Sequence, residues 1–295
     1  MRLYHASLNL RVLQWYAQRF PNSKLNVLRS FGLLDKDSSH FCTDWRNKLD
    51  SLILDSGTWT LNNTNDQTLR KKLTLDNYSA YLSKVGQYFD FYFNFDSDFS
   101  DNGFHTNLTN LKELERAGYH PVPVIHNIHN IHGNEIGYYK DRGYKHVALG
   151  SSQIKSIKTL RDAMGKLMKA NIKVHLFGNT SFKFLSSSPI HSCDSTAWAN
   201  KGSYGYINYW NPKKKGLFKC DGIYMDEYLN VDKKVKITFK NYEFRKDLES
   251  YLGKELGITF QDLLGNDGAH YKRLVNLHYY VKLERIINAI HRKTF

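Results

Sequence analysis

Apolar residues along this chain fall in short runs that stop at a polar residue or a glycine, and most runs are followed by a stretch with apolar positions at helical spacing. A run too short for a helix reads as a buried strand, whereas recurrence every three or four residues reads as a helix with one packed face. The strand-like runs are Arg2 to Ala6, Leu25 to Leu28, Ser51 to Leu54 ending at Asp55, Phe91 to Phe95 ending at Asp96, Val122 to Ile125 ending at His126, His146 to Leu149 ending at Gly150, Ile172 to Phe177 ending at Gly178, and a weaker one from Ile190 to Cys193 ending at Asp194. Helical spacing is found over Leu8 to Phe20, which Pro21 stops, over Ser38 to Leu49, Thr74 to Phe89 and Leu108 to Ala117. It is clearest over Ile154 to Ala170, with Ile157, Leu160, Ala163, Met164, Leu167 and Met168 on one side. The Asn-rich stretch Thr60 to Gln67 reads as a loop beside Asp55, placed to act as a lid.

Eight such runs alternating with helices predict an α/β fold, a closed (β/α)8 barrel of the TIM type. A doubly wound open sheet is the competing fold, and no Gly-x-Gly-x-x-Gly turn follows the first strand to support it. Past Asp194 the pattern changes. Tyr204 to Trp210 is aromatic, Lys213 to Lys215 is a charge run, Gly216 to Met225 returns as a strand, and from Phe239 the chain is helical, closing with Leu274, Leu277, Val281, Leu283, Ile286, Ile287 and Ile290. With no long linker, the expectation is a single domain over residues 1–295, its barrel core spanning 1–200 and a basic, aromatic insert with closing helices spanning 201–295.

Composition adds a partner to this picture. Forty-two Lys and Arg against 28 Asp and Glu leave a formal charge of +14, and 14% of residues are aromatic. Basic side chains follow a phosphate backbone and aromatic faces hold unstacked bases, so a nucleic acid is the expected ligand. Lys201, Lys213, Lys214, Lys215 and Lys219, interleaved with Tyr204, Tyr206, Tyr209, Trp210 and Phe218, are the candidate backbone contacts. Cys42, Cys193 and Cys220 are too few and too scattered for a disulfide framework or a four-cysteine zinc site. The first residues lack the apolar run of a signal peptide, and no stretch approaches the roughly 20 apolar residues of a membrane span. A cytoplasmic location is expected.

In a barrel, the strand ends gather Asp55, Asp96, His126, Gly150, Gly178 and Asp194 around one mouth. Carboxylates facing a cleft are the equipment for displacement at a sugar's anomeric carbon: one attacks or stabilises positive charge, another moves a proton. Asp55 and Asp194 are the candidates, although Asp before Ser or Gly is also ordinary turn chemistry. His126, His129 and His132 are spaced by three, which aligns them only on a helix, and the neighbouring Asn residues and Gly133 favour a loop. His126 alone is a candidate base or phosphate contact, and no metal is expected.

The same residues carry a resemblance that spans nearly the whole chain. Ile53-Leu54-Asp55-Ser56-Gly57, Phe93-Asn94-Phe95-Asp96, Val147-Ala148-Leu149-Gly150-Ser151, Val174-His175-Leu176-Phe177-Gly178, Cys193-Asp194-Ser195 and Asn276-Leu277-His278-Tyr279-Tyr280-Val281-Lys282-Leu283 follow in order. Together they resemble the motifs of the tRNA-guanine transglycosylase superfamily, most of all the DpdA-type phage and bacterial enzymes that place 7-deazaguanines in DNA. The resemblance implies one transglycosylase-like barrel in which Asp194 is the nucleophile and Asp55 manages the proton on the departing and incoming base. It also implies that Asp96, Ser56, Gly57, His126, Gly150 and Ser151 surround that base, and that the enzyme works in the cytoplasm, of the host if phage-encoded.

The departures from the family are as informative. The family's zinc ligands are three close cysteines and a histidine; here Cys220 stands alone and Val275 replaces the histidine, so no zinc subdomain and no cofactor are expected. The carboxyl-terminal RNA-binding domain of archaeal relatives has no counterpart, which favours DNA over tRNA. Ser151 replaces a second glycine and His126 a usual glutamine, which leaves the incoming base open. Partners implied are DNA, with tRNA as the alternative, and a free 7-deazaguanine such as the 7-cyano base; no membrane is expected, and a homodimer is allowed. Beside base exchange stand two further classes, a hydrolytic N-glycosidase using the same acids and a non-catalytic nucleic-acid-binding barrel.

Overall fold

The computed structural model describes residues 1–34, 38–100, 102–129, 134–150, 154–225 and 237–294. They form two compact units: residues 1–7, 25–195 and 290–295 in the first, residues 8–24 and 196–289 in the second.

The first unit is built on eight strands, β1 (Arg2–Ala6), β2 (Leu25–Ser30), β3 (Leu49–Asp55), β4 (Phe91–Tyr92), β5 (Val124–Ile125), β6 (His146–Leu149), β7 (Lys173–Leu176) and β8 (Ser192–Ser195). They pair in parallel in the order β4-β3-β2-β1-β8-β7-β6-β5. The two ends of that order meet. Phe93 and Val122 form a parallel bridge, the Asn94 N–H donates to the Val122 carbonyl at 2.9 Å, and the Val122 N–H donates to the Tyr92 carbonyl at 2.8 Å. The sheet therefore closes into a (β/α)8 barrel, as the alternation of runs predicts, and closure leaves no unpaired edge.

Because successive side chains point to opposite faces of a strand, one set from each strand fills the interior. Tyr4, Ala6, Leu28, Ile53, Phe93, Val122, Val124 and Ala148 pack there, with Phe91 and Phe177 against them. Continuing the alternation by two residues from Leu28 and Ile53 brings Ser30 and Asp55 to the same face at the carboxyl ends of their strands. Outside, the helix Ile157–Lys169 buries Leu160, Ala163, Met164 and Leu167, and it starts where the Ser156 side chain caps the Thr159 N–H. Met168, expected on that packed side, is exposed.

Two expected elements differ. The helix read over Ser38 to Leu49 is only Ser38–Cys42 followed by a turn at Arg46–Lys48. Where it ends, Thr43 Oγ1 donates to the Ser39 carbonyl, a side chain competing for a helix acceptor. Conversely, the Asn-rich segment read as a loop is helical over Thr58–Asn63, and a further helix covers Gln67–Lys72. Asn62 and Asn63 donate to the carbonyls of Thr58 and Trp59, four residues back, so their amides are satisfied within the helix. A helix over Glu135–Asp141, capped by Asn134, had no expected counterpart.

In the second unit the aromatic stretch and the return strand pair as an antiparallel hairpin, β9 (Tyr206–Trp210) with β10 (Cys220–Tyr224). Buried Asn276, on the helix Gly268–Thr294, pins this hairpin by accepting from the Asn208 N–H at 2.7 Å and donating to the Tyr206 carbonyl at 2.9 Å. The helix Leu10–Arg19 joins the same unit, Trp15 stacking on Tyr271 at 4.6 Å. Among the described residues, no helix is long and apolar enough to cross a membrane.

Candidate active site

Asp55 is the last residue of β3, and its Oδ2 accepts from Ser30 Oγ at 2.8 Å and from the Gly57 N–H at 3.1 Å. Gly57 makes this turn with φ +79°, and a Cβ there would lie 2.3 Å from the backbone nitrogen of Gly32. Only glycine allows that left-handed conformation and that approach together. Burial pushes the Asp55 carboxyl up to about 6; the Ser30 and Gly57 bonds oppose the rise, and the charges of Asp194 and Asp96 reinforce it. The charges of Asp194 and Asp96 thus both bear on Asp55.

Asp194 lies within β8, facing the interior as Ser192 does two residues earlier. Its Oδ1 accepts from the Gly178 N–H at 3.0 Å and from His175 Nε2 at 3.3 Å. Gly178 follows β7 with φ +64°, a turn that aims its N–H at the carboxylate. Asp96 is also buried; its Oδ1 accepts from Asn94 Nδ2 at 2.6 Å, and its Oδ2 bonds His126 Nε2 at 3.2 Å.

Burial disfavours the cation on His126, yet the hydrogen bond and charge of Asp96, with Glu135 and Asp98 behind it, outweigh that and hold the imidazole above its ordinary range. Phe99 stacks on the ring at 4.8 Å. Glu135 fixes the turn beneath: its two oxygens accept from the His126 N–H at 2.8 Å and the Asn127 N–H at 3.0 Å, while burial raises its carboxyl to about 7. His126 and His129 are not helical, and His132 lies outside the described residues. Among the described residues, no group of three or more His, Cys, Asp or Glu is arranged to hold a metal ion.

The remaining expected base contacts divide. Gly150 follows β6, and a Cβ built on it would touch His126 Nδ1 at 3.5 Å, so bare backbone adjoins that ring. Ser56 is buried with its hydroxyl on Thr58 Oγ1 at 3.3 Å, a partner within the turn. Ser151 lies outside the described residues.

The candidate phosphate contacts belong to the second unit. Lys213 pairs with Asp247 at 2.9 Å, Lys214 with Asp221 at 2.7 Å, and Lys219 donates to the Pro212 carbonyl. Lys201 reaches Asn208 Oδ1 at 3.4 Å and lies over the Tyr206 ring. Lys215 is exposed in the segment joining β9 and β10. The Cys220 thiol lies 3.8 Å from Asn208 Oδ1, and burial holds it above its ordinary range against the opposing charge of Lys201.

Sequence reasoning missed Ser30, Asn94, Glu135, His175 and Ser192, which hold the acids or their loops. Only His175 carried a usable signal, a titratable ring in the middle of an apolar run. No model of a known protein family matches the chain, and no curated protein matches it significantly.

Proposed function

We propose that the protein is a base-exchange transglycosylase that replaces guanine in DNA with a 7-deazaguanine through a glycosyl ester on Asp194. The observation that carries this reading is the pair of acids at barrel strand ends, Asp55 raised to about 6 chiefly by burial, with the charge of Asp194 adding to the rise. Two carboxyl groups with different surroundings suit two roles. Asp194 attacks the anomeric carbon as its bond to the purine ring nitrogen breaks. Asp55, still partly protonated near neutral pH, gives that nitrogen its proton, then takes one from the incoming base as the ester is displaced. Asp96 accepts from the amino and ring N–H groups of guanine, and the His126 imidazole beside it offers a donor.

A duplex hides the anomeric carbon, so the target base is single-stranded or flipped out. The charge of +14 supports a polyanionic substrate. The sequence resemblance agrees with this assignment and favours DNA. Nucleosides from the DNA and tRNA of cells expressing the chain beside a 7-deazaguanine pathway, measured by mass spectrometry, test it. A 7-deazaguanine in DNA that vanishes with Asp194→Ala is expected; modification of tRNA alone would reverse the choice of polymer, and abasic sites without incorporation would favour hydrolysis.

A further inference from the structure

We infer that His175 is the positioning residue of the nucleophile, fixing Asp194 Oδ1 so that Oδ2 attacks. The inference rests on the reading of Asp194 given above. His175 is fully buried, and its ring lies 4.8 Å from the rings of both Phe93 and Phe177. Nε2 is 3.3 Å from Asp194 Oδ1, and Nδ1 is 2.9 Å from Ser192 Oγ. A carboxylate only accepts, so Nε2 carries the hydrogen; in the neutral ring Nδ1 is then an acceptor, and Ser192 donates to it. The Asp194 carboxylate thereby selects the tautomer, and the Ser192 hydroxyl satisfies the other ring nitrogen and holds the ring in place.

The consequence is an asymmetric carboxylate. Oδ1 holds two N–H donors, His175 Nε2 and Gly178 N, while among the described residues no donor bonds Oδ2. In the first step Oδ2 forms its bond to the anomeric carbon as the carbon–nitrogen bond breaks; the electron pair leaves with the base, whose nitrogen takes the proton of Asp55. Oδ1 becomes the ester carbonyl oxygen, still held. In the second step the incoming ring nitrogen gives its proton to Asp55 and attacks the same carbon, and Oδ2 departs with its electron pair. Two donors stabilise a carboxylate more than an ester carbonyl, since hydrogen bonds to a charged acceptor are the stronger. They therefore favour the step that restores the carboxylate, and removing one leaves the ester longer-lived.

The test uses the full chain, a single-stranded guanine-containing oligodeoxynucleotide and radiolabelled guanine as the incoming base. His175→Phe keeps a ring in the aromatic packing and removes the donor; His175→Gln keeps an N–H donor. Expected for His175→Phe is a fall in kcat of about 10- to 100-fold with little change in KM, the scale of losing one preorganised donor. The enzyme–oligonucleotide adduct should accumulate on denaturing gels, and His175→Gln should recover much of the rate. A merely structural histidine would lower the folded fraction without raising the adduct per folded molecule, and that result overturns the inference. So does wild-type exchange by His175→Phe. Where that variant does not fold, Ser192→Ala replaces it: a smaller loss with adduct accumulation is expected, and an unchanged rate overturns the proposal. Wild-type protein that exchanges no label overturns the transglycosylase reading as well, whereas wild-type exchange abolished by Asp194→Ala but indifferent to both His175 variants sinks only the role of His175.

Discussion

At the scale of single residues, the cost of an active-site acid is readable as stability. Asp55 binds its proton more tightly in the folded chain, at about 6 against an ordinary 3.8. Below about 3 both states are protonated and nothing is lost; as pH rises from there through 6 the unfolded chain ionises first, and the folded state loses stability. The shift from 3.8 to about 6 corresponds to at most about 3 kcal/mol above pH 6. Asp55→Asn keeps an oxygen for the Ser30 hydroxyl and the Gly57 N–H while abolishing the buried charge. Its melting temperature is expected to exceed wild type at pH 7.5 and to converge with it as pH falls to about 3, in parallel thermal melts. The same proton governs the proposed chemistry. Formation of the Asp194 adduct, measured in single turnover, should decline as pH rises through about 6, because the base then leaves without its donor.

At the scale of elements, what was legible depended on how local the signal is. The strands ending at Asp55 and Gly150 were plain because apolar side chains on both faces of a parallel strand leave little else the run can be. β8 was faint because its inward residues are polar, Ser192 and Asp194, so the site itself erases the hydrophobic pattern that would announce the strand. Ser30 stayed hidden for a related reason: β2 runs two residues past Leu28 to a polar end that periodicity alone discards. The strand partners of the two acids, Ser30 and His175, come from neighbouring strands, a register relation no single run contains: Ser30 sits opposite Asp55, and His175 opposite Ser192, two residues before Asp194. The turn after β3 is where an element-level change should be felt most. Gly57→Ala forces a side chain into a left-handed conformation, costing about 1–3 kcal/mol, and drives it against Gly32, so the backbone must shift as well. Urea denaturation is expected to show a midpoint lowered accordingly, and exchange should fall further than stability explains, because the Gly57 N–H also holds Asp55.

At the scale of the whole molecule, a net charge of +14 predicts affinity for any polyanion, and the structure separates lysines that hold the fold from those available to a ligand. Lys214 reaches Asp221 at 2.7 Å, and that carboxylate also accepts from Tyr242 at 2.7 Å and Asn211 at 3.0 Å, a network within the second unit. Removing its cation leaves a largely buried carboxylate short of a partner, so Lys214→Ala is expected to lower stability by about 1–3 kcal/mol. Lys215 is one residue away and exposed, and Lys215→Ala should leave the melting temperature within error of wild type. Titrations of a fluorescent single-stranded oligonucleotide across salt concentrations then distinguish the two. Binding by the wild type should weaken steeply with salt, and Lys215→Ala should flatten the logarithmic slope by about 0.7, the value for one lost phosphate contact on a single strand. An unchanged slope would remove Lys215 from the nucleic-acid surface and shift the search to cations of the barrel unit, where exposed Lys155, Lys158 and Lys183 follow β6 and β7 on the loops and helix starts beyond their carboxyl ends.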